Sequence, residues 1–232
     1  MALGDGICIG IDERDINSGR VMEMTSEYKI TQDMLISVPS NYRAEILVDG
    51  ERVRTVKTCQ KKKLSKFIGS DKEGKTLSVL YVSERPFTSM SWGIGSLTIT
   101  YEFLDGASVN VGAGGTLLAE ISDATAFYRS FGKTEGTLNL TECTGMIISC
   151  FRTCASKILV QMFNEAIQPV FETEFMVSEL DRRVNERLCG APLGDVAPGI
   201  VYRSATVSGI RVNEEDKNAM IDRFGTKRPA RR

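Results

Sequence analysis

The chain contains no histidine among its 232 residues. Histidine is the commonest general base and metal ligand in proteins, and it is the side chain that ordinarily titrates near neutral pH. Its absence excludes serine-histidine-aspartate and cysteine-histidine catalysis, as well as HExxH zinc sites. Paired carboxylates are the groups that could still provide acid and base chemistry without histidine.

Six cysteines could bind a metal ion or form disulfides: Cys8, Cys59, Cys143, Cys150, Cys154 and Cys189. No pair has the C-x-x-C spacing of common zinc sites, and Cys150 and Cys154 lie four residues apart within a helical pattern. We expect free thiols that pack as small apolar side chains, which implies a reducing compartment. The sequence predicts neither a metal site nor a cofactor.

The densest acidic cluster is Glu214-Glu215-Asp216. Consecutive helix positions point in different directions, so these three carboxylates cannot converge on one substrate bond. Acidic side chains favour the first turn of a helix, and Asn213 stands in front of them as a candidate cap. The cluster therefore indicates a helix start, and we predict no catalytic residue and no enzymatic activity.

The segment Gly112-Ala113-Gly114-Gly115 has the composition of a phosphate-binding loop. A dinucleotide fingerprint needs a further glycine where Leu117 stands, and a P-loop needs lysine after its last glycine, where this chain has Thr116. Glycines within a strand more often mark a β-bulge or a close approach of two backbones. We expect such a structural role here.

Basic residues cluster at two places. The first cluster is Lys57, Lys61, Lys62, Lys63 and Lys66, and the second is Lys227, Arg228, Arg231 and Arg232. The first cluster has two interpretations: solvated lysines that protect a sheet edge from pairing, or a contact for anionic lipid head groups. The formal net charge of -1 gives no global field that would collect nucleic-acid phosphates, so we expect no nucleic-acid partner.

Hydrophobic periodicity predicts an α+β fold in which strands precede helices. Residues 42–48 alternate, and Asp49-Gly50 supplies a hairpin turn before a return strand and a basic loop. The further predicted strands are 77–82, 97–103 and 109–121, with a return strand at 200–212. The predicted helices are a short one capped at Ser122-Asp123, one capped at Thr141 and ending at about Pro169, one at 173–188 and a short C-terminal one. The first long helix should bury one stripe, composed of Ile147, Phe151, Cys154, Ile158 and Met162.

The first 36 residues show no clear period apart from the alternation of Ile7, Ile9 and Ile11. We predict an N-terminal arm over 1–36, a domain over 37–224 and a basic tail over 225–232. The three isoleucines could add a strand to a neighbouring subunit, and the alternative is a disordered arm. No secretory signal and no run of roughly 18 apolar residues is found, so we expect a cytoplasmic protein.

Several short motifs follow one another in a recognisable order. They are Val38 to Ala44 leading to Val48-Asp49-Gly50, Pro86-Phe87-Thr88 with Trp92-Gly93 before a strand, Gly112 to Ile121 with Ser122-Asp123-Ala124 and Phe127, and Gly199-Ile200-Val201 to Gly209-Ile210 with Asn213-Glu214-Glu215. In this order, residues from about Ile36 to Ala219 resemble the SPFH (stomatin, prohibitin, flotillin, HflK/C; Band 7) superfamily, most closely its bacterial virion-core-protein-like members. Ile94 and Ala124 depart from the family pattern, which has threonine and proline there.

The resemblance implies a non-enzymatic scaffold that forms homo-oligomeric rings, cages or patches. Such a scaffold would organise a membrane or a membrane-anchored partner, as a peripheral protein at the inner face of the membrane. A phage or phage-like structural subunit of a tube or shell is the alternative, because a strand-rich domain with terminal arms also suits that role.

Overall fold

The structure is a computed structural model, and it describes residues 7–11, 19–84, 87, 89–101, 106–165 and 173–224. Its strands come mostly before its long helices, and the chain ends its described part in a short helix. The sheets are predominantly antiparallel. The predicted α+β fold class is confirmed.

The described elements comprise twelve strands and five α-helices. The strands are β1 (Cys8–Ile9), β2 (Arg20–Met24), β3 (Tyr28–Lys29), β4 (Leu35–Val38), β5 (Tyr42–Val48), β6 (Glu51–Val56), β7 (Cys59–Lys63), β8 (Thr76–Ser83), β9 (Met90–Tyr101), β10 (Ala107–Ile121), β11 (Gly136–Asn139) and β12 (Ile200–Val212). The helices are α1 (Ser65–Ile68), α2 (Ala124–Arg129), α3 (Leu140–Glu165), α4 (Thr173–Leu188) and α5 (Glu214–Phe224).

The chain forms two compact units, where the sequence predicted one domain over 37–224. Unit 1 comprises Met1–Pro86, Ile121–Met146 and Pro198–Ile200. Unit 2 comprises Phe87–Glu120, Ile147–Ala197 and Val201–Arg232. Because each unit draws on separate stretches of sequence, a pass along the chain does not reveal the division.

Unit 1 contains two sheets. The larger has the order β11-β2-β8-β5-β6, with β3 also paired to β8, and the smaller has the order β1-β4-β7. The central strand β8 is buried along most of its length, as its continuous apolar run predicts. The β5–β6 hairpin turns at Asp49 (φ 51°) and Gly50 (φ 81°), the two positive φ angles of a type I′ turn.

The predicted N-terminal arm is corrected by the placement of β1 to β4. These strands pair within the sheets of unit 1, and β1 runs parallel to β4. The Tyr81 hydroxyl donates to the carbonyl oxygens of Ile9 (3.1 Å) and Ser37 (3.2 Å). Ile9 and Ile11 are buried in the unit 1 core, whereas Ile7 is exposed. Core packing within one chain therefore accounts for Ile9 and Ile11.

Unit 2 contains a three-stranded sheet of order β12-β10-β9. The register of β9 against β10 shifts between Val111 and Ala113, because Gly95 and Ser96 of β9 form a bulge opposite the single residue Gly112. A Cβ atom at Gly115 would lie 1.8 Å from the Thr206 carbonyl oxygen, a distance no side chain tolerates. The predicted structural role of the glycine-rich segment is confirmed.

An aromatic cluster forms the centre of the unit 2 core. The Phe151 ring lies 5.1 Å from those of both Trp92 and Tyr202, in edge-on contact with each. Trp92 is buried, and its indole Nε1 donates to the Thr116 carbonyl oxygen (3.2 Å). The predicted stripe of α3 is buried at Ile147, Phe151, Ile158 and Met162, while Cys154 is half-buried.

The caps of α2 and α5 are those that the sequence predicted, and the cap of α3 is a different residue. The Asp123 carboxylate accepts from Ala126 N at the start of α2, and Asn213 Oδ1 accepts from Glu215 N at the start of α5. Helix α3 begins two residues earlier than predicted, at Leu140. Its cap is Asn139 rather than Thr141, because Asn139 Oδ1 accepts from Glu142 N while the Glu142 carboxylate accepts from Asn139 N.

Among the described residues, α3 meets the length and composition of a membrane-crossing helix, with a mean hydropathy of 1.3 in its most apolar window. The sequence predicted no such segment. Core helices of globular proteins have the same length and composition, and α3 carries a buried stripe. Helix α3 has one buried apolar face and one exposed face, as an amphipathic helix packed in a globular unit has.

Candidate functional site

The first lysine cluster begins at Lys57, between β6 and β7, and continues on β7 and α1, where the sequence predicted a loop. Strand β7 forms the end of the β1-β4-β7 sheet, pairing Lys62 with Ile36 and Lys63 with Leu35. Leu64 follows the strand, is buried, and donates its N–H to the Met34 carbonyl oxygen (2.9 Å).

Apolar anchors fix this lysine-rich segment to unit 1. Cys59 and Leu64 are buried in the core, and Phe67 and Ile68 of α1 pack against it. Backbone pairing and these anchors leave the lysine side chains directed to solvent. The segment is therefore a basic surface whose backbone is fixed to the unit 1 core.

All five lysines of the cluster are exposed, and none forms an ion pair with another described residue. They are Lys57, Lys61, Lys62, Lys63 and Lys66. Other lysines of unit 1 are paired: Lys72 Nζ lies 2.7 Å from Asp71 Oδ2, and Lys75 Nζ lies 3.6 Å from Asp49 Oδ2. The cluster thus keeps its positive charge uncompensated by neighbouring carboxylates among the described residues.

Both interpretations of the cluster agree with this geometry. Lysines on an end strand oppose pairing with another chain, because a docked strand would bring charge into its interface. Each lysine near an anionic membrane surface also contributes about 1 kcal/mol of attraction. The two roles use the same exposed, unpaired side chains.

A cleft of about 300 Å³ lies beside Lys63 in unit 1. Ser65, Ser70 and Gly69 line it together with Glu73, whose carboxylate accepts from Gln32 Nε2 (3.0 Å). The carboxylate opposes an anionic occupant. The cleft is therefore a weaker candidate for a head-group site than the open lysine surface.

Arg54 adds to the basic surface, although the sequence did not predict its membership. Arg54 is exposed on β6, three residues before Lys57, and forms no ion pair with a described residue. Its neighbour Arg52 instead lies 3.6 Å from Glu45 and 4.0 Å from Asp123. The sequence feature that could have identified Arg54 was its alternation with Arg52 in the predicted return strand.

Glu45 is a buried carboxylate of unit 1, with 2% of its surface exposed. It accepts a hydrogen bond from the Thr125 hydroxyl (2.8 Å) and lies 3.7 Å from Arg43. These partners connect β5 to the start of α2. The Thr125 hydroxyl and Arg43 thus provide partners for the buried Glu45 carboxylate, so a structural role explains its presence.

The acidic cluster at the start of α5 is divided among structural contacts. Asp216 Oδ2 accepts from the backbone N–H (2.8 Å) and the side-chain amide (2.9 Å) of Asn110. Glu214 lies 3.9 Å from Lys217, one turn along the same helix. The three carboxylates do not converge, as the helical spacing predicts.

The cysteines are free thiols, as predicted. Burial raises the pKa of the Cys143 thiol to about 12, and burial also raises the pKa values of Cys150, Cys154 and Cys189. A raised pKa keeps a thiol protonated and unreactive at neutral pH. Within the described ranges, no group of three or more Cys, Asp or Glu side chains is placed to hold a metal ion.

The second basic cluster, at Lys227, Arg228, Arg231 and Arg232, lies outside the described residues. Comparison with protein-family models and with curated proteins finds no match for this chain. The resemblance to the SPFH superfamily therefore depends on the sequence motifs themselves.

Proposed function

We propose that this chain is a non-enzymatic, self-assembling scaffold of SPFH type that contacts an anionic membrane surface from the cytoplasmic side. The observation that carries the proposal is the set of five exposed lysines from Lys57 to Lys66, four of them on β7 and α1, which have no ion-pair partner among the described residues. Clustered ammonium groups on an ordered backbone are suited to peripheral, electrostatic attachment.

Charge and motif order support self-assembly. The formal net charge of -1 imposes little repulsion between copies of the chain, and oligomers of soluble proteins are mostly homo-oligomers. The SPFH resemblance adds rings, cages or patches as the expected form. The proposed partners are other copies of this chain and an anionic membrane or a membrane-anchored protein, with no nucleic acid.

A non-enzymatic role is supported by the structural use of the polar groups that could carry chemistry. Glu45 is hydrogen-bonded within unit 1, Asp216 holds Asn110, and Cys143 is buried. Each of these groups has a packing or hydrogen-bonding role that explains its presence.

Co-sedimentation with vesicles tests the membrane contact. The variant K61Q/K62Q/K63Q removes three charges from β7, and K29Q/K72Q/K75Q removes the same number from lysines of unit 1 that bind Thr76, Asp71 and Asp49. At about 1 kcal/mol per lysine, the first variant should bind anionic vesicles roughly a hundredfold more weakly than the wild type. The second should lose much less, because its charges are already compensated or hydrogen-bonded.

Varying the salt concentration and the lipid composition in this assay can contradict the proposed electrostatic contact. Electrostatic binding should fall steeply between 50 and about 200 mM salt, because the Debye length shortens. Equal binding to neutral vesicles, or equal losses in the two triple variants, would contradict a specific lysine surface. Electron microscopy of the wild type separates closed rings or cages from open tubes, and tubes would favour the phage-like structural subunit.

A further inference from the structure

The cleft beside Lys63 is lined by one base and one acid that do not pair with each other. Lys63 contributes an ammonium group and Glu73 a carboxylate, and neither forms an ion pair with a described residue. A neighbouring lysine of unit 1 does have an acidic partner, since Lys72 Nζ lies 2.7 Å from Asp71 Oδ2. Two opposite, uncompensated charges therefore line a space of about 300 Å³.

The acidic wall of the cleft is fixed by hydrogen bonds. Ile30 lines the cleft and is buried; its N–H donates to the Lys75 carbonyl oxygen (3.0 Å), and its carbonyl oxygen accepts from Gly74 N (2.9 Å). Gln32 Nε2 donates to Glu73 Oε2 (3.0 Å), which orients the carboxylate. Glu73 Oε1 accepts no hydrogen bond from a described residue, so one oxygen of a positioned carboxylate is available to a ligand.

Three hydroxyl groups add hydrogen-bond donors to the same cleft. They belong to Thr31, Ser65 and Ser70, and none of them bonds to another described residue. Phosphate oxygens accept hydrogen bonds from ammonium and hydroxyl groups, whereas an ionised carboxylate can only accept. The cleft therefore offers several donors to an anionic group and one charged acceptor to a cationic group.

We propose that this cleft binds the phosphoethanolamine head group of a lipid, with its phosphate beside Lys63 and its primary ammonium group beside Glu73. This inference rests on the proposed membrane contact and identifies a lipid that the contact selects. A head group with negative charge alone is repelled by Glu73, whereas a zwitterionic head group has a partner for each charge. The surrounding lysines still attract anionic lipids.

The chemistry of the ammonium group is what this cleft can distinguish. A primary ammonium group has three N–H donors, and Glu73 Oε1 is an available acceptor. A choline head group has the same phosphate and the same charges, but its quaternary nitrogen has no hydrogen to donate. Quaternary ammonium groups are typically bound by aromatic side chains, and no residue that lines this cleft is aromatic. We therefore expect selection of ethanolamine over choline.

Co-sedimentation with vesicles of constant anionic fraction tests this selection. All vesicles contain the same fraction of phosphatidylglycerol, and the remaining lipid is phosphatidylethanolamine or phosphatidylcholine. The wild type should bind the ethanolamine vesicles about threefold to fivefold more tightly, the upper range for an exposed ion pair. Glu73→Gln should bind both kinds of vesicle equally. The control Glu51→Gln removes an exposed acid of β6, outside the cleft, and should keep the preference.

The outcomes separate the head-group site from the proposed function. If the wild type binds anionic vesicles without preferring ethanolamine, the head-group site is refuted while the lysine surface stands. A wild type that binds no anionic vesicle refutes both. A preference that Glu73→Gln retains would come from the packing of the bilayer and would refute the role of the cleft. Binding of Glu73→Gln to both kinds of vesicle also shows that the variant is folded.

Soluble compounds distinguish a lipid head group from a free solute. Glycerophosphoethanolamine has the phosphodiester of the lipid, and O-phosphoethanolamine is a free monoester. In amide NMR titrations of the full chain, glycerophosphoethanolamine should shift the signals of Gly69, Ser70 and Glu73, and glycerophosphocholine should not. A response to the monoester alone would assign the cleft to a free solute and refute the lipid. Signals that move with neither ethanolamine compound would contradict the site itself.

Discussion

Truncation of Phe151 to alanine should destabilise unit 2 strongly. Its side chain is fully buried and contacts the rings of Trp92 and Tyr202 edge-on. Removal of a buried phenylalanine costs about 3–5 kcal/mol, through lost transfer free energy and the cavity left behind. The two aromatic contacts, at about 0.5–1.5 kcal/mol each, place the expected loss toward the upper end of that range.

A loss of about 4 kcal/mol is large against a typical stability of about 5–15 kcal/mol. For a chain of this size it corresponds to a thermal midpoint roughly 8–16 °C lower. Trp92 is the single tryptophan of the chain, and its ring lies 5.1 Å from that of Phe151. Urea unfolding followed by tryptophan fluorescence therefore reports on the site of the substitution.

The matched control is Phe175→Ala on α4, because 69% of the Phe175 surface is exposed. This variant should stay within about 0.5 kcal/mol of the wild type. An unchanged unfolding midpoint in Phe151→Ala, or equal losses in the two variants, would refute the inward orientation of the α3 stripe.

Two further predictions concern backbone contact and pH. Gly115→Ala should cost about 1–3 kcal/mol in thermal or urea unfolding, since its Cβ would collide with the Thr206 carbonyl, whereas Gly95→Ala meets no atom within 4 Å and should cost less. Hydrogen bonds from Arg182 and then Arg183 lower the pKa of Glu179 from 4.5 to about 2. Its stabilising contribution is therefore complete above pH 4.5 and lost as the pH falls toward 2, and Glu179→Gln should flatten the acid limb of the stability curve over that range. An unaltered acid limb would contradict this role.

Local patterns predicted much of the fold because their causes are local. The alternation of residues 42–48, the Asp49-Gly50 turn and the helical stripe of α3 follow from side-chain periodicity and backbone preference. The predicted bounds of α4 and β12 agree with the observed ones, because glycine and proline residues flank both elements in the sequence. The cap of α3 was misplaced because Asn139 and Thr141 are both acceptable caps, and only Asn139 also meets Glu142 three residues later.

Long-range pairing was not predictable from those patterns. The short strands β1 to β4 have few residues each, and they are strands because Tyr81 and the neighbouring sheet bind them. The division into two units depends on contacts between distant stretches of sequence, such as Asn110 with Asp216.

The candidate site likewise has features that local patterns predicted and features that depend on long-range pairing. The lysines of the first cluster were evident from composition, but their position on an end strand required the pairing of β7 with β4. The placement of Lys63 and Glu73 at one cleft gave no sequence signal, because exposed lysine and glutamate residues suit any surface segment.

The mass of the purified wild-type protein over a dilution series tests the central claim most directly. Light scattering should give particles whose mass is a multiple of the 25.6 kDa chain at micromolar concentration. A mass of 25.6 kDa at every concentration would contradict the self-assembling scaffold.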